Sequence, residues 1–305
     1  MSNRIKSLSI SDDLIDPTHA EVSFRVYTER VTNKTEIRGR LMGPRCAYSS
    51  TVEVAYPVRM VKHEYGKEDH PYIASRVIIP EPCFWEPESP FFYQGIVELW
   101  QTGEKIEERC ITRALRDIKL GPRGLHLNGK RFTLRGVARN RFEREELPEL
   151  RRANFDTLLT PVTENCVDLC AAADYLGFFI IWRVRRRECF RRLRPLNLET
   201  QTHPSLLGGV VMPDAEEPEV IWLLASASFH TINGSFVGWC LTEPSSASLP
   251  DDCRFILCAP NHLSSSAGMS LPRLVLCDQM SLNEAGVQEL SSAPSTLGWI
   301  IDQSK

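Results

Sequence analysis

Residues 118–137 read IKLGPRGLHLNGKRFTLRGV, and the texture of the chain changes across them. The Asn128-Gly129 pair stands between two extended apolar runs, which is a strong hairpin signal. Before this stretch the sequence has strand character throughout. After it, strands alternate with helices.

Upstream, AEVSFRVYTER, TEIRGRLM, SSTVEVAYPVRMV, YIASRVII, YQGIVELWQ and KIEERCITRAL alternate apolar with polar residues, separated by charged and Gly/Pro-bearing turns. Six or seven short strands at this spacing predict a β-sandwich of immunoglobulin-like size over residues 1–120. Downstream, FTLRGVA, FDTLLTP and FFIIWRV read as strands, with REELPELRRAN and ENCVDLCAAADYLG as helices between them. That order implies a parallel sheet. LLGGVVM, VIWLLAS, FVGWCLT, RFILCA, RLVLCD and LGWII are further strand candidates, giving nine for an eight-stranded barrel, so one is expected to lie outside it. The 181 residues from Leu125 to Lys305 fall short of the roughly 250 usual for a (β/α)8 barrel. PDAEEPE and TEPSSASLPDD are too short and too rich in proline or serine for full barrel helices. The expectation is a multidomain β and α/β chain, with a reduced (β/α)8 TIM-like barrel over residues 121–305.

Composition narrows the function classes. A net charge of −3 argues against a chain that binds polyanions as a whole, so nucleic acid is not an expected partner. No segment approaches the roughly 18 apolar residues of a membrane span, and MSNRIKSLSISDDLID lacks an apolar signal-peptide core, which points to a cytoplasmic protein. The ten cysteines form no CxxC pair, and the seven histidines do not fall at zinc-ligand distances from them. They read as small buried hydrophobes in a reducing compartment, with Cys166 and Cys170 on one helix face; no metal and no cofactor are expected.

Local motifs then point to a family. FWEPESPFFYQGIVEL, at residues 84–99, resembles the Trp-x-Pro-x-x-Pro-x-x-Tyr stretch near the end of the immunoglobulin-like domain of glycoside hydrolase family 2, the family of β-galactosidases, β-glucuronidases and β-mannosidases. LHLNGKRFTLRGVAR is similar to its hairpin and first barrel strand, RRANFDTLLT to its second strand, ADYLGFFII to its third and HPSLLGGVV to its fourth. These matches run in the family's order over roughly residues 20–215. The family's jelly-roll domain has no counterpart among them.

The departures fall where the resemblance implies chemistry. Strand one of the family ends in Asn-Arg-His, and here Ala138, Arg139 and Asn140 stand there. Its third strand ends in Asp-Glu, against Trp182-Arg183. Its fourth ends in Asn-Glu, with the Glu as general acid/base, and Pro213-Asp214 occupy those positions. For the nucleophile, LPRLVLCDQ offers Asp278, and LGWIIDQ resembles the eighth strand that follows. Retaining hydrolysis needs two carboxyl groups ~5–5.5 Å apart, and two aspartates in place of glutamates widen that gap. A gap of ~6.5–9.5 Å suits inversion instead. By the same resemblance Arg135 supports the nucleophile, and Asn140, Trp182, Trp239 and Trp299 join it as candidate substrate-binding residues near strand ends, the tryptophans as stacking surfaces for a sugar.

RVRRRECFRRLR, from Arg183 to Arg194, holds seven arginines in twelve residues. It either binds an anionic partner or pairs with acidic neighbours such as EEPE. The reading is thus a glycosidase-like protein that has lost its catalytic residues and binds a carbohydrate or a partner enzyme. Alternatives are an active β-glycosidase using Asp214 and Asp278, or a protein that binds an anionic partner through the arginines. A homo-oligomer is expected too, because a thinned barrel exposes apolar wall.

Overall fold

The computed structural model describes residues 3–65, 71–193, 196, 203–230, 235–241, 249–260, 271–278 and 295–304. They fall into two compact units that divide between Arg116 and Asp117.

The first unit holds ten strands: β1 (Ile5–Ile15), β2 (His19–Thr28), β3 (Thr35–Arg45), β4 (Val54–Pro57), β5 (Arg59–Tyr65), β6 (Tyr72–Pro80), β7 (Trp85–Glu86), β8 (Ser89–Pro90), β9 (Phe92–Gln101) and β10 (Glu104–Arg113). Two four-stranded antiparallel sheets, ordered β1-β2-β6-β5 and β10-β9-β3-β4, share one core. Phe24, Val77 and Ile79 of the first meet Leu41, Val97 and Leu99 of the second, as alternation requires. SSTVEVAYPVRMV, expected as a single strand, breaks at Pro57-Val58: β4 pairs in one sheet and β5 in the other. β1 had no expected counterpart. Trp85 and Tyr93 of the W-x-P-x-x-P-x-x-Y stretch are core residues, the tyrosine hydroxyl accepting from the Cys83 amide at 2.9 Å.

The second unit opens with a small antiparallel sheet, β11 (Ile118–Gly121), β12 (Gly124–Leu127) and β13 (Lys130–Phe132). Asn128 and Gly129 turn β12 into β13 with φ of 51° and 78°, the left-handed pair that the sequence demanded. Eight parallel strands follow: β14 (Leu134–Ala138), β15 (Thr157–Pro161), β16 (Phe179–Val184), β17 (Leu206–Val211), β18 (Phe236–Leu241), β19 (Phe255–Cys258), β20 (Arg273–Asp278) and β21 (Thr296–Asp302). They pair in chain order, and β14 also pairs with β21, so the barrel is closed. Phe132 of β13 meets Phe179 at the start of β16, ring centroids 5.7 Å apart, which sets the small sheet at the barrel's N-terminal end.

Among the described residues four helices follow the first four barrel strands in turn: α1 (Leu147–Arg152), α2 (Cys166–Leu176), α3 (Glu188–Leu193) and α4 (Pro218–His230). The ninth strand candidate, VIWLLAS, is the one outside the barrel: it forms most of α4. Among the described residues no helix is long and apolar enough to cross a membrane. All ten cysteines are free thiols.

Register fixes which way each barrel side chain points. Gly136 lies against Ile300 across the lumen-facing side of β14 and β21, and a Cβ on Gly209 would collide with Phe229 of α4, so Gly209 faces the helices. Alternation from these two anchors turns Leu159, Ile181, Arg183, Cys240, Leu257, Leu276, Asp278, Ile300 and Asp302 inward.

Candidate functional site at the barrel mouth

The C-terminal end of a parallel barrel is where strand-end side chains converge. Here Arg183, the inward-facing penultimate residue of β16, lies at that end and is only 7% exposed. Its Nη2 donates to the Arg139 carbonyl at 2.7 Å and to Asn140 Oδ1 at 3.0 Å, and its Nη1 to Ser304 Oγ at 3.1 Å. Asn140 Nδ2 in turn donates to the Ser304 carbonyl at 2.8 Å, and Arg139 Nε to Gln303 Oε1 at 2.9 Å. Residues after β14, after β21 and at the end of β16 are therefore laced together across the mouth. Arg183 Nε is buried with no partner among the described residues. Burial, followed by the Arg185 charge, pushes the Arg183 pKa down, with Asp302 and Asp214 opposing. Cys240, facing inward from β18, has its thiol pushed up to about 11, mainly by burial, so it is no nucleophile near neutral pH.

Asp214 lies beyond the end of β17, in the turn Pro213-Asp214. Its side chain is 63% exposed, and both its oxygens accept from Arg185 Nε at 2.9 Å. Two more pairs continue the same rung pattern, Arg186 with Glu216 at 3.4 Å and Arg187 with Glu217. Three consecutive arginines of the Arg183–Arg194 segment are thus matched by acids after β17. Arg192 lies 3.5 Å from Glu164. Arg194 lies outside the described residues.

Asp278, the exposed last residue of β20, is paired in register with Asp302 of β21. The two inward-facing aspartates sit side by side at the mouth, while Asp214 belongs to the arginine ladder. Asp302 and Ser304 are mouth residues that the sequence did not single out, and Arg183 had been marked only as standing in the place of the family's Asp-Glu and as the first of the arginine run; the W-x-x-D-Q match at 299–303 was the available signal for Asp302.

The other candidates point elsewhere. Trp182, Trp239 and Trp299 occupy outward-facing positions on their strands. Trp182 has no exposed surface and belongs to the cluster joining the barrel to its helices. Trp239 packs on Trp222 of α4 at 5.6 Å, and Trp299 on Phe155 at 6.1 Å. None offers a ring to a sugar at the mouth, which corrects the stacking expectation. Arg135, the second residue of β14, stands at the opposite, N-terminal end and also faces outward. Its Nε donates to Asp156 Oδ2 at 2.9 Å and its amide to Oδ1 at 2.8 Å. It anchors a buried carboxylate rather than a nucleophile. Asp156 also accepts from Thr157, yet burial outweighs these bonds and raises its pKa to about 6.

No protein-family model matches the chain, and no curated protein matches it. Solved structures do. A glycosyl hydrolase family 2 member from Bacteroides cellulosilyticus aligns over 98% of this chain and 43% of its own, with a TM-score of 0.68 at 16% identity. The β-glucuronidase of Bacteroides uniformis aligns over 98% and 46%, with a TM-score of 0.70 at 14% identity. The β-glucuronidase of Parabacteroides merdae aligns over 99% and 47%, with a TM-score of 0.65 at 10% identity. The fold is therefore that of glycoside hydrolase family 2 structures, and the chain spans less than half the length of those proteins.

Proposed function

We propose that this chain is a non-hydrolysing, glycosidase-like binding protein. The observation that carries the reading is Arg183, a buried, inward-facing guanidinium bonded to Asn140 and Ser304 at the strand ends, where the resemblance would put an acidic residue. A retaining or inverting glycosidase needs one carboxyl group kept protonated beside the scissile bond. Asp214 has no apolar enclosure of the kind that would do so, and it is ion-paired to Arg185. Ten free thiols agree with a reducing, cytoplasmic setting.

One hydrolytic reading has specific support: among the described residues Asp278 and Asp302 are register neighbours facing inward, a pair of carboxyl groups at the strand ends. A panel of aryl β-glycosides, including glucuronides, assayed across several pH values decides between the two. The parent is expected to release no aryl alcohol above the rate of a heat-denatured control. Turnover that Asp278→Asn or Asp302→Asn abolishes, in variants that stay folded, would overturn the proposal.

A further inference from the structure

Beside the mouth, a second concave site lies between the segment after β14 and the segment after β15. It is a groove open to solvent with a volume of about 360 Å³. One wall carries Arg141 and Glu143, paired at 2.7 Å. The facing wall carries Glu164 and Arg192, 3.5 Å apart. Thr160, 1% exposed, lines the pocket. Thr163 and Asn165 add further polar groups, and Asn165, at the start of α2, makes no side-chain capping bond. Phe142, Val162 and Leu169 complete the lining.

We propose that this pocket binds an uncharged polyhydroxyl compound of monosaccharide to disaccharide size. A guanidinium has five N–H donors and a carboxylate about four acceptor positions, so one ion pair on each wall leaves most of them available. The pocket therefore offers many donors and acceptors with its charge already balanced. A net anion would face Glu143 and Glu164, a net cation Arg141 and Arg192, and a zwitterion would have to separate pairs already formed. Neutral hydroxyls bond to both walls without disturbing either pair. The apolar side chains meet the C–H faces of such a ligand. The site does not use the mouth, so it stands whether or not Asp278 and Asp302 retain any chemistry.

Calorimetric titration of the full chain tests this, with neutral methyl hexopyranosides and sucrose beside glucuronate, inorganic phosphate and alanine. Saturable binding of at least one neutral probe is expected, weakened tenfold or more by Thr160→Val and by Asn165→Ala, and unchanged in Asp278→Asn. Asn165 is exposed, so its variant keeps the test open if Thr160→Val does not fold. No saturation by any neutral probe, saturation by charged probes alone, or a loss caused by Asp278→Asn and by neither pocket variant would each overturn the proposal.

Discussion

At Asp156, burial and charge pull against one another. Its carboxylate has Arg135 and Thr157 as partners, but desolvation raises its pKa from an ordinary 3.8 to about 6. Folding therefore takes up a proton between these values, so the group's contribution to stability is complete below about pH 4 and is lost as pH rises through 6. The parent's unfolding free energy, measured relative to Asp156→Asn, is expected to fall across that window by up to roughly 3 kcal/mol and to level off above it. A flat difference would show that Asp156 stays ionised throughout. A second buried pair behaves differently. Arg113 Nη2 lies 2.7 Å from Asp12 Oδ1, both side chains about 5% exposed, and it links β10 of one sheet to β1 of the other. Asp12→Ala strands a buried guanidinium, and urea unfolding should register a loss of about 3–5 kcal/mol. Neither ion pair was legible in the sequence, since Arg135 and Asp156 stand 21 residues apart and Arg113 and Asp12 101 residues apart. The tryptophans show a related limit. Parallel strands buried on both faces read as continuous apolar runs. FFIIWRV and LGWII therefore carry no alternation to tell the lumen from the helix side, and only register placed Trp182 and Trp299 outside.

The same ambiguity operates on elements. VIWLLAS has the length and composition of a buried strand, but it continues through ASASFH and is preceded by Pro218, a residue suited to the first turn of a helix. That proline and the run of Leu and Ala were the available signals, and an apolar run of seven residues cannot separate strand from helix by periodicity alone. Identifying α4 leaves eight barrel strands where nine were read. The packing of α4 on the barrel depends on one small residue: a Cβ on Gly209 would lie 2.3 Å from the Phe229 ring. Gly209→Ala must push that ring or the helix aside, and thermal unfolding should show a destabilisation of roughly 1–3 kcal/mol. An unchanged midpoint would mean that α4 sits more loosely than its contacts indicate. The Asn128-Gly129 turn, by contrast, was fully legible, because its chemistry is contained in two adjacent residues.

Over the whole molecule, the order of motifs was readable because each is local, while the hydrogen bonds that join strand ends at the barrel mouth were not, since Arg183 reaches Ser304 across 121 residues of sequence. The arginine segment had left two readings open, an anionic partner or internal acids. The rungs Arg185–Asp214, Arg186–Glu216 and Arg187–Glu217 favour the second. These pairs are largely exposed, so each adds less than about 1 kcal/mol to stability, and their larger effect is on the charge presented to solvent. Removing the three acids, as Asp214→Asn, Glu216→Gln and Glu217→Gln together, takes the net charge from −3 to 0 and leaves three adjacent guanidiniums unmatched. The triple variant should keep the parent's unfolding temperature to within a few degrees, yet elute from immobilised heparin at clearly higher salt, since unmatched arginines exchange counterions for the polyanion's charges. Equal elution of parent and variant at low salt would show that something other than the acids after β17 silences the arginines. Tight retention of the parent itself would restore the anionic partner and displace the ladder as the explanation for a cationic segment in an acidic chain.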